Sequence, residues 1–280
     1  MPIITLTTDY GLKDPYLGAV KGAIYSQLPE VTIVDISHYV TPFHIAEAAY
    51  IIQNSYKNFP EGSIHIIGID AEHTPENKHV AVYMNGHYFI CADNGVLCLI
   101  MNKLRPEKLV EINIHDRISS NFTMLDAFVE TACHIARGGM LEIVGKPKDS
   151  IKAIAGLFPN VSERHDYIHG QIIYIDNYGN SVTNITRELF TATARGRKFV
   201  LSARSEKHNT IFERYSDIVN FEQPVEKRDV DGKGLCLFNS SGYIELATYK
   251  SNPLTVGSAS SLFGLQLDTP VVINFENNDR

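Results

Sequence analysis

The sequence predicts an α/β fold in two parts: a three-layer α/β/α domain with a mixed sheet over residues 1–160, and a smaller all-β barrel domain over 167–280. Three observations predict it. Through the first half, β-branched apolar runs alternate with helical patterns. From about Tyr167 the runs become short, β-rich and separated by turns. Between the two regimes, Pro159 to Asp166 is polar and reads as a linker.

Ile3 to Thr7 is apolar and β-rich, and a helical pattern follows from Tyr16 to Leu28. Val31 to Ile36 reads as a second strand. His44 to Phe59 places Ile45, Ala48, Ala49 and Ile52 on one helix face. Ser63 to Ile69 is a third strand. Val80 to Met84 and Tyr88 to Ala92 flank Asn85-Gly86, a pair suited to a tight hairpin because both residues tolerate positive φ. Gly95 to Leu104 and Met124 to Arg137 read as helices, the second ended by Gly138-Gly139. In the second half the strands are Gly170 to Ile175, Lys198 to Ser202, Leu235 to Asn239, Tyr243 to Thr248 and Pro270 to Phe275, with little helix expected.

Asp9, Asp70 and Asp93 each fall at the C-terminal end of a predicted strand. Open α/β sheets bind ligands along that edge, where the strand-to-helix loops gather. One such Asp is more often a turn former or helix cap than a ligand contact; three together make a polar pocket more plausible.

The 280 residues are 44% hydrophobic and 20% charged, the composition of an ordinary globular protein. A net charge of −7 argues against sequence-blind binding of nucleic acid, which needs clustered Lys and Arg. No apolar run approaches the ~20 residues that span a bilayer, so no membrane partner is expected. Cys91, Cys98, Cys133 and Cys236 form no CxxC pair and suit a reducing, cytoplasmic setting. The opening MPIITLTTDYG lacks the basic stretch and apolar core of a signal peptide. GxGxxG, GxxxxGK[ST] and GxSxG are all missing, which removes the signatures of dinucleotide, P-loop and α/β-hydrolase sites. His165 and His169 run into a strand and would not share a helix face, while His73 and His79 read as part of a solvated polar loop. No metal site is expected.

The segment TTDYGLKDPYLGAVKGAIYSQLPEVTIVDISHYVTPF, from Thr7 to Phe43, resembles the opening of the S-adenosylmethionine (SAM) hydroxide adenosyltransferase family, the hydrolytic relatives of fluorinases and chlorinases. ADNGVL at Ala92 to Leu97, IDNYGNSVTNI at Ile175 to Ile185 and NSSGYIELA at Asn239 to Ala247 are similar to further motifs of that family, in the same order. The resemblance implies an α/β N-terminal domain, a β-barrel C-terminal domain and a homotrimer. SAM would lie between the N-terminal domain of one subunit and the C-terminal domain of its neighbour, as substrate, with no further cofactor. By the same resemblance Asp9 would accept hydrogen bonds from the ribose hydroxyls, and Phe43 would pack near the ribose and the reacting carbon. Asp14, Asp93 and Asn94 fall within matched motifs as substrate-binding candidates. Asp176, Tyr178 and Asn180 would hold the methionine portion and stack near the adenine, and Asn239 with Ser240 would contact the ligand from the barrel side.

One part of the pattern departs. The family activates water with an Asp–Arg–His group, and this chain reads IDAEHTPENKHVAV from Ile69 to Val82 and NFTMLDAFVETACHIA from Asn121 to Ala136. Asp70 is kept as the catalytic candidate; Asn77 and Lys78 stand at the Arg positions, Thr123 at the His, and Met124-Leu125 at a Gly-Arg pair. Lys78, His73 and His79 lie in the same loop and are candidate substitutes. The leading expectation is SAM plus water giving adenosine and L-methionine. The alternatives are a SAM- or adenosine-binding protein without turnover, and a relative with another nucleophile or nucleoside substrate.

Overall fold

The computed structural model describes residues 2–101, 104–115, 122, 124–154, 156–228 and 230–276. They form two compact units, Met1–Ile154 and Ala155–Arg280.

In the first unit, strands β1 (Ile3–Thr8), β2 (Thr32–Ser37), β3 (Ile64–Gly68), β4 (His79–Met84), β5 (His87–Ala92), β6 (Lys108–Ile112) and β7 (Gly145–Pro147) make one seven-stranded mixed sheet. Its order is β2-β1-β3-β5-β4-β6-β7. Helices α1 (Tyr16–Gln27) and α4 (Val129–Ala136) contribute to one apolar cluster, and α2 (Ile45–Gln53) and α3 (Val96–Met101) to another. The strands supply both clusters by alternation. Ile64, Ile66, Ala81 and Ile90 enter the α1/α4 cluster, whereas Ile67, Val80, Val82, Phe89 and Cys91 enter the α2/α3 cluster. Burial on both faces is why these strands read as nearly continuous apolar runs.

β1, β2, β3 and β5 run parallel. From β1 the chain passes through α1 to β2 on one side; from β2 it returns through α2 to β3 on the other side of β1. The order therefore reverses between β1 and β3, the crevice where open α/β sheets take ligands. At the hairpin, Asn85 (φ 51°) and Gly86 (φ 77°) both adopt the positive φ that a tight β4–β5 turn requires.

The second unit holds β8 (Asn160–Val161), β9 (Tyr167–Ile175), β10 (Ser181–Thr186), β11 (Phe199–Ala203), β12 (Glu206–His208), β13 (Gly234–Phe238), β14 (Tyr243–Thr248) and β15 (Pro270–Phe275). Its antiparallel path is β12-β11-β15-β9-β10-β14-β13, with β8 paired to β9. Beyond β12, Phe212 bridges to Leu237 of β13, which nearly closes the sheet into a barrel around Ile168, Ile172, Leu246, Val271 and Ile273.

Three elements differ from the sequence expectation. Part of the stretch read as linker forms β8. A helix, α5 (Arg187–Ala194), occupies a segment read as non-helical; Thr186 caps it by accepting a hydrogen bond from the Leu189 amide at 3.2 Å, and Arg195 ends it at φ 49°. Met124–Phe128 is a π-helical turn leading into α4, and a Cβ on Gly68 would meet Met124 Sδ at 2.4 Å, so the side chain entering this turn is packed onto the end of β3.

Thr5 Oγ1, His65 and His87 form a buried polar chain, with 2.7 Å to His65 Nδ1 and 3.2 Å from His65 Nε2 to His87 Nδ1. Burial, then the neighbouring His87, pushes the His65 pKa down to about 3. The folded protein thus keeps His65 neutral where the unfolded chain protonates it near the ordinary value of ~6.5. The unfolded state binds the extra proton, so stability contributed above that value is lost as pH falls from ~6.5 toward 3, by up to about 1.4 kcal/mol per pH unit. Urea unfolding between roughly pH 4 and 6 should show His65→Gln with a slope shallower by about that amount; identical slopes would place the acid sensitivity elsewhere.

Candidate active site

The register brings three of the predicted carboxylates to one edge. Thr8 of β1 pairs with Gly68 of β3, and Ile67 of β3 with Cys91 of β5, so Asp9, the Ile69-Asp70 step and Asp93 follow adjacent parallel strands at the same level. Asp9 and Asp70 are half-buried and flank the crevice where the strand order reverses. Burial raises the Asp9 pKa, the Phe43 amide lowers it, and the Asp70 charge raises it further. The Asp70 charge therefore reaches Asp9 across the crevice.

Asp9 has a structural task as well. Its Oδ2 accepts a hydrogen bond from the Phe43 amide at 3.0 Å, holding Phe43 at φ 64°. A bulky residue in left-handed backbone is strained, and such strain persists where neighbouring bonds over-determine it. The result is an aromatic ring presented to solvent, 72% exposed, beside a half-buried carboxylate. Tyr10, Tyr16 and Phe122 form a second aromatic group next to Asp9, with ring centroids 5.2–5.9 Å apart. Behind β1, Thr8 Oγ1 lies 2.8 Å from His38 Nδ1, His38 Nε2 lies 3.1 Å from Asp35, and Lys21 reaches the same carboxylate at 2.5 Å. The His38 backbone carbonyl also accepts a hydrogen bond from the Gly11 amide at 2.7 Å, fixing the turn that carries Asp9. Asp14 is exposed just ahead of α1.

Asp70 sits at φ 45°, a left-handed position that Asp tolerates better than most residues. The loop it opens is stapled from within. Asn77 Nδ2 donates to the carbonyls of Asp70 (2.9 Å) and Glu72 (3.0 Å), and Asn94 Nδ2 donates to that of Ile69 (2.9 Å). Asn94 Oδ1 in turn accepts the Val96 amide at the start of α3. Asp93 is buried and faces the chain that follows β7: its carboxylate accepts the Lys152 amide at 2.8 Å and lies 3.5 Å from Lys148 Nζ. Asp93 and Asn94 thus shape the edge through bonds within the chain.

His79 corrects the reading of a solvated loop. It is fully buried as the first residue of β4, facing Ala92 across the ladder. Its Nε2 lies 3.0 Å from the Ala71 carbonyl, which can only accept, so Nε2 carries the proton and Nδ1 accepts from His115 Nε2 at 2.8 Å. Burial first, with the Ala71 bond opposing it, sets the His79 pKa down to about 3. His73 stacks on His115 with centroids 3.9 Å apart. Thr123 lies outside the described residues.

The second unit carries its candidates on two hairpin turns. Between β9 and β10, Asp176 Oδ1 accepts the amides of Tyr178 (2.8 Å) and Asn180 (2.9 Å), and Oδ2 accepts Asn180 Nδ2 (2.9 Å). Gly179, at φ 74°, lets the turn approach Ser258; a Cβ there would meet Ser258 Oγ at 2.2 Å. Tyr178 is left 63% exposed. Between β13 and β14, Asn239 Oδ1 accepts the amides of Ser241 and Tyr243, both at 3.0 Å, and Ser240 is exposed at the tip. Two residues missed in the sequence join these turns. Glu245, buried on β14, accepts Asn239 Nδ2 at 3.2 Å and the Tyr215 hydroxyl; that hydroxyl accepts Asn180 Nδ2 at 3.4 Å. Burial raises the Glu245 pKa, which the bonds from Tyr215 and Asn239 oppose.

Comparison with known proteins gives a consistent result. Residues 4–145 match the SAM hydroxide adenosyltransferase N-terminal domain, and residues 170–272 match the C-terminal domain of that family. A Methanocaldococcus jannaschii protein named (R)-S-adenosyl-L-methionine hydrolase is 27% identical, over 90% of each chain. A Nocardia brasiliensis fluorinase is 25% identical over 88% of this chain and 90% of its own. A Thermotoga maritima crystal structure shares the fold, with a TM-score of 0.80 at 24% identity over 97% of this chain and all of the other.

Removing the internal staple should be measurable. Asn77→Ala leaves two loop carbonyls without their donor and should lower stability by about 1–2 kcal/mol in denaturant unfolding. An unchanged midpoint would show that water replaces the amide at no cost.

Proposed function

Because the chain belongs to the SAM hydroxide adenosyltransferase family, we propose that it hydrolyses S-adenosylmethionine to adenosine and L-methionine. The observation that carries this reading is the placement of Asp9 and Asp70 on adjacent strand ends at the switch crevice, beside the aromatic groups. A carboxylate accepts both hydroxyls of a ribose diol through charge-assisted bonds, the role given to Asp9. Phe43 and the Tyr10–Tyr16–Phe122 group supply apolar, π-rich surface that suits a sulfonium.

The reaction asks for alignment more than for acid catalysis. Water oxygen bonds to the ribose 5′ carbon while the carbon–sulfur bond breaks, its electron pair going to sulfur. Methionine leaves as a neutral thioether, so no proton need reach it; the attacking water gives its proton to solvent. Asp70 accepts a hydrogen bond from that water and aims its lone pair at the carbon. Holding the reactants in line can supply about 7–11 kcal/mol in well-oriented cases.

The turns of Asp176, Tyr178, Asn180, Asn239 and Ser240 take the methionine and adenine portions in this reading. Assembly as a homotrimer, with each ligand held by two subunits, follows from the family resemblance. No helix among the described residues is long and apolar enough to cross a membrane, and four free cysteines, three of them buried, suit the cytoplasm.

A second reading, a SAM- or adenosine-binding protein without turnover, is favoured by one observation. Asn77, standing where the family has Arg, spends its amide on loop carbonyls and presents no cation.

Incubating the purified protein with SAM and following adenosine and methionine by chromatography separates the two. Product above the uncatalysed rate is expected, with Asp70→Asn lowering kcat by roughly 10²–10³-fold and Asp9→Asn chiefly raising KM. Tight SAM binding without product would leave the binding-protein reading. If turnover persists and neither Lys78→Ala nor His73→Ala changes it, those side chains have not replaced the missing Arg and His.

A further inference from the structure

Glu245 and Tyr215 lie outside the carried-over ligand contacts, yet they tie together the two turns that hold those contacts. Proton directions in the network are fixed by chemistry. A carboxylate only accepts, so Asn180 must turn Nδ2 toward Asp176 Oδ2, and Asn239 must turn Nδ2 toward Glu245 Oε2. Asn180 Nδ2 also donates to the Tyr215 hydroxyl, which donates onward to Glu245 Oε1. Both Glu245 oxygens are therefore used as acceptors, one per turn. An amide at this position would offer a single acceptor and an unwanted donor.

The same orientation leaves Asn180 Oδ1 buried without a hydrogen-bond partner, in a residue that is 3% exposed. Such an atom costs about 1–3 kcal/mol. A network serving the barrel alone would gain by turning that oxygen to a donor; here Asp176 and Tyr215 forbid the turn. Tyr215 comes from a short 3-10 segment, Tyr215–Ile218, in the excursion between β12 and β13, so the restraint is imposed by chain remote from both turns.

We propose that Glu245 and Tyr215 are positioning residues: they clamp the side chains of Asn180 and Asn239 across two hairpins, and so fix the spacing at which the turns present the exposed Tyr178 and Ser240 to the bound ligand. This rests on reading the chain as a SAM-binding enzyme, since SAM is the ligand the two turns would hold. The clamp acts through the asparagines and belongs to binding, so its loss weakens the grip on SAM and leaves the chemical step alone.

Tyr215→Phe removes one hydroxyl and keeps the ring; Glu245→Gln keeps one acceptor; Glu245→Ala keeps none. Calorimetric Kd for SAM, kcat, KM, melting temperature and a crystal structure of Tyr215→Phe are the readouts. Tyr215→Phe should weaken SAM binding roughly tenfold, the loss of about one hydrogen bond to a charged group. KM should rise in step while kcat stays within about twofold, with Glu245→Gln intermediate and Glu245→Ala weakest. In the crystal, the Asn180 and Asn239 turns should be displaced relative to each other, with Asn180 Nδ2 kept on Asp176 Oδ2. Unchanged Kd and KM in Tyr215→Phe, unmoved turns, or a fall in kcat at constant KM would each overturn the clamp. Should Glu245→Ala fail to fold, Tyr215→Phe still decides. Wild-type protein that binds no SAM would instead remove the functional reading, and the relative position of the two turns in the Tyr215→Phe crystal would judge the clamp alone.

Discussion

The parallel pairing of β1, β3 and β5, buried on both faces, is the constraint from which the placement of the strand-end carboxylates follows. Because β3 and β5 feed both apolar clusters and β1 sends Ile4 and Leu6 into one of them, a slip of one residue would turn these side chains to the wrong face and leave neither cluster packed. That penalty locks the register, and the register sets Asp9, Asp70 and Asp93 level with one another. Left-handed backbone at Phe43 and Asp70 is tolerable for the same reason: the frame around it cannot relax. The site's precision is borrowed from the core.

Much of this was legible in the sequence. The α/β-then-barrel order, the Asn85-Gly86 hairpin and the strand-end carboxylates follow from local patterns, since alternation, turn chemistry and strand length are each written within a few residues. What escaped was non-local. Glu245 and Tyr215 are 30 residues apart and meet through the barrel's closure, a pairing no window of sequence displays. His79 looked like part of a polar loop because its neighbours His73, Glu76 and Lys78 are polar; its burial comes from β5 on one side and β6 on the other. Helix α5 was hidden among β-rich runs, although Thr186 is a capping residue and Glu188 sits in its first turn. Asp93 shows the reverse. Its position at the edge was legible, but its partners, Lys148 and Lys152, come from much farther along the chain.

Asn77 and Asp70 illustrate how a motif can keep its shape while losing a member. A loop whose opening residue is left-handed needs something to hold its carbonyls, and Asn77 supplies two hydrogen bonds from one amide. The asparagine turns inward and stabilises the loop. The geometry of the loop that Asp70 opens is therefore held without a cation at position 77. The paired imidazoles of His79 and His115 brace the same loop through the Ala71 carbonyl.

The latch between Asp93 and the chain after β7 bears on how the molecule is made. Asp93 is synthesised 59 residues before the Lys152 amide that satisfies it, and β7, the sheet's last strand, arrives just ahead of that partner. On the ribosome, the first unit therefore passes through a stage in which six strands are present and a carboxylate destined for the interior stands unanswered. Domains emerging from the ribosome fold as units, N-terminal first. For this one, the partners of Asp93 emerge only with Lys148 and Lys152, at the very end of the first unit.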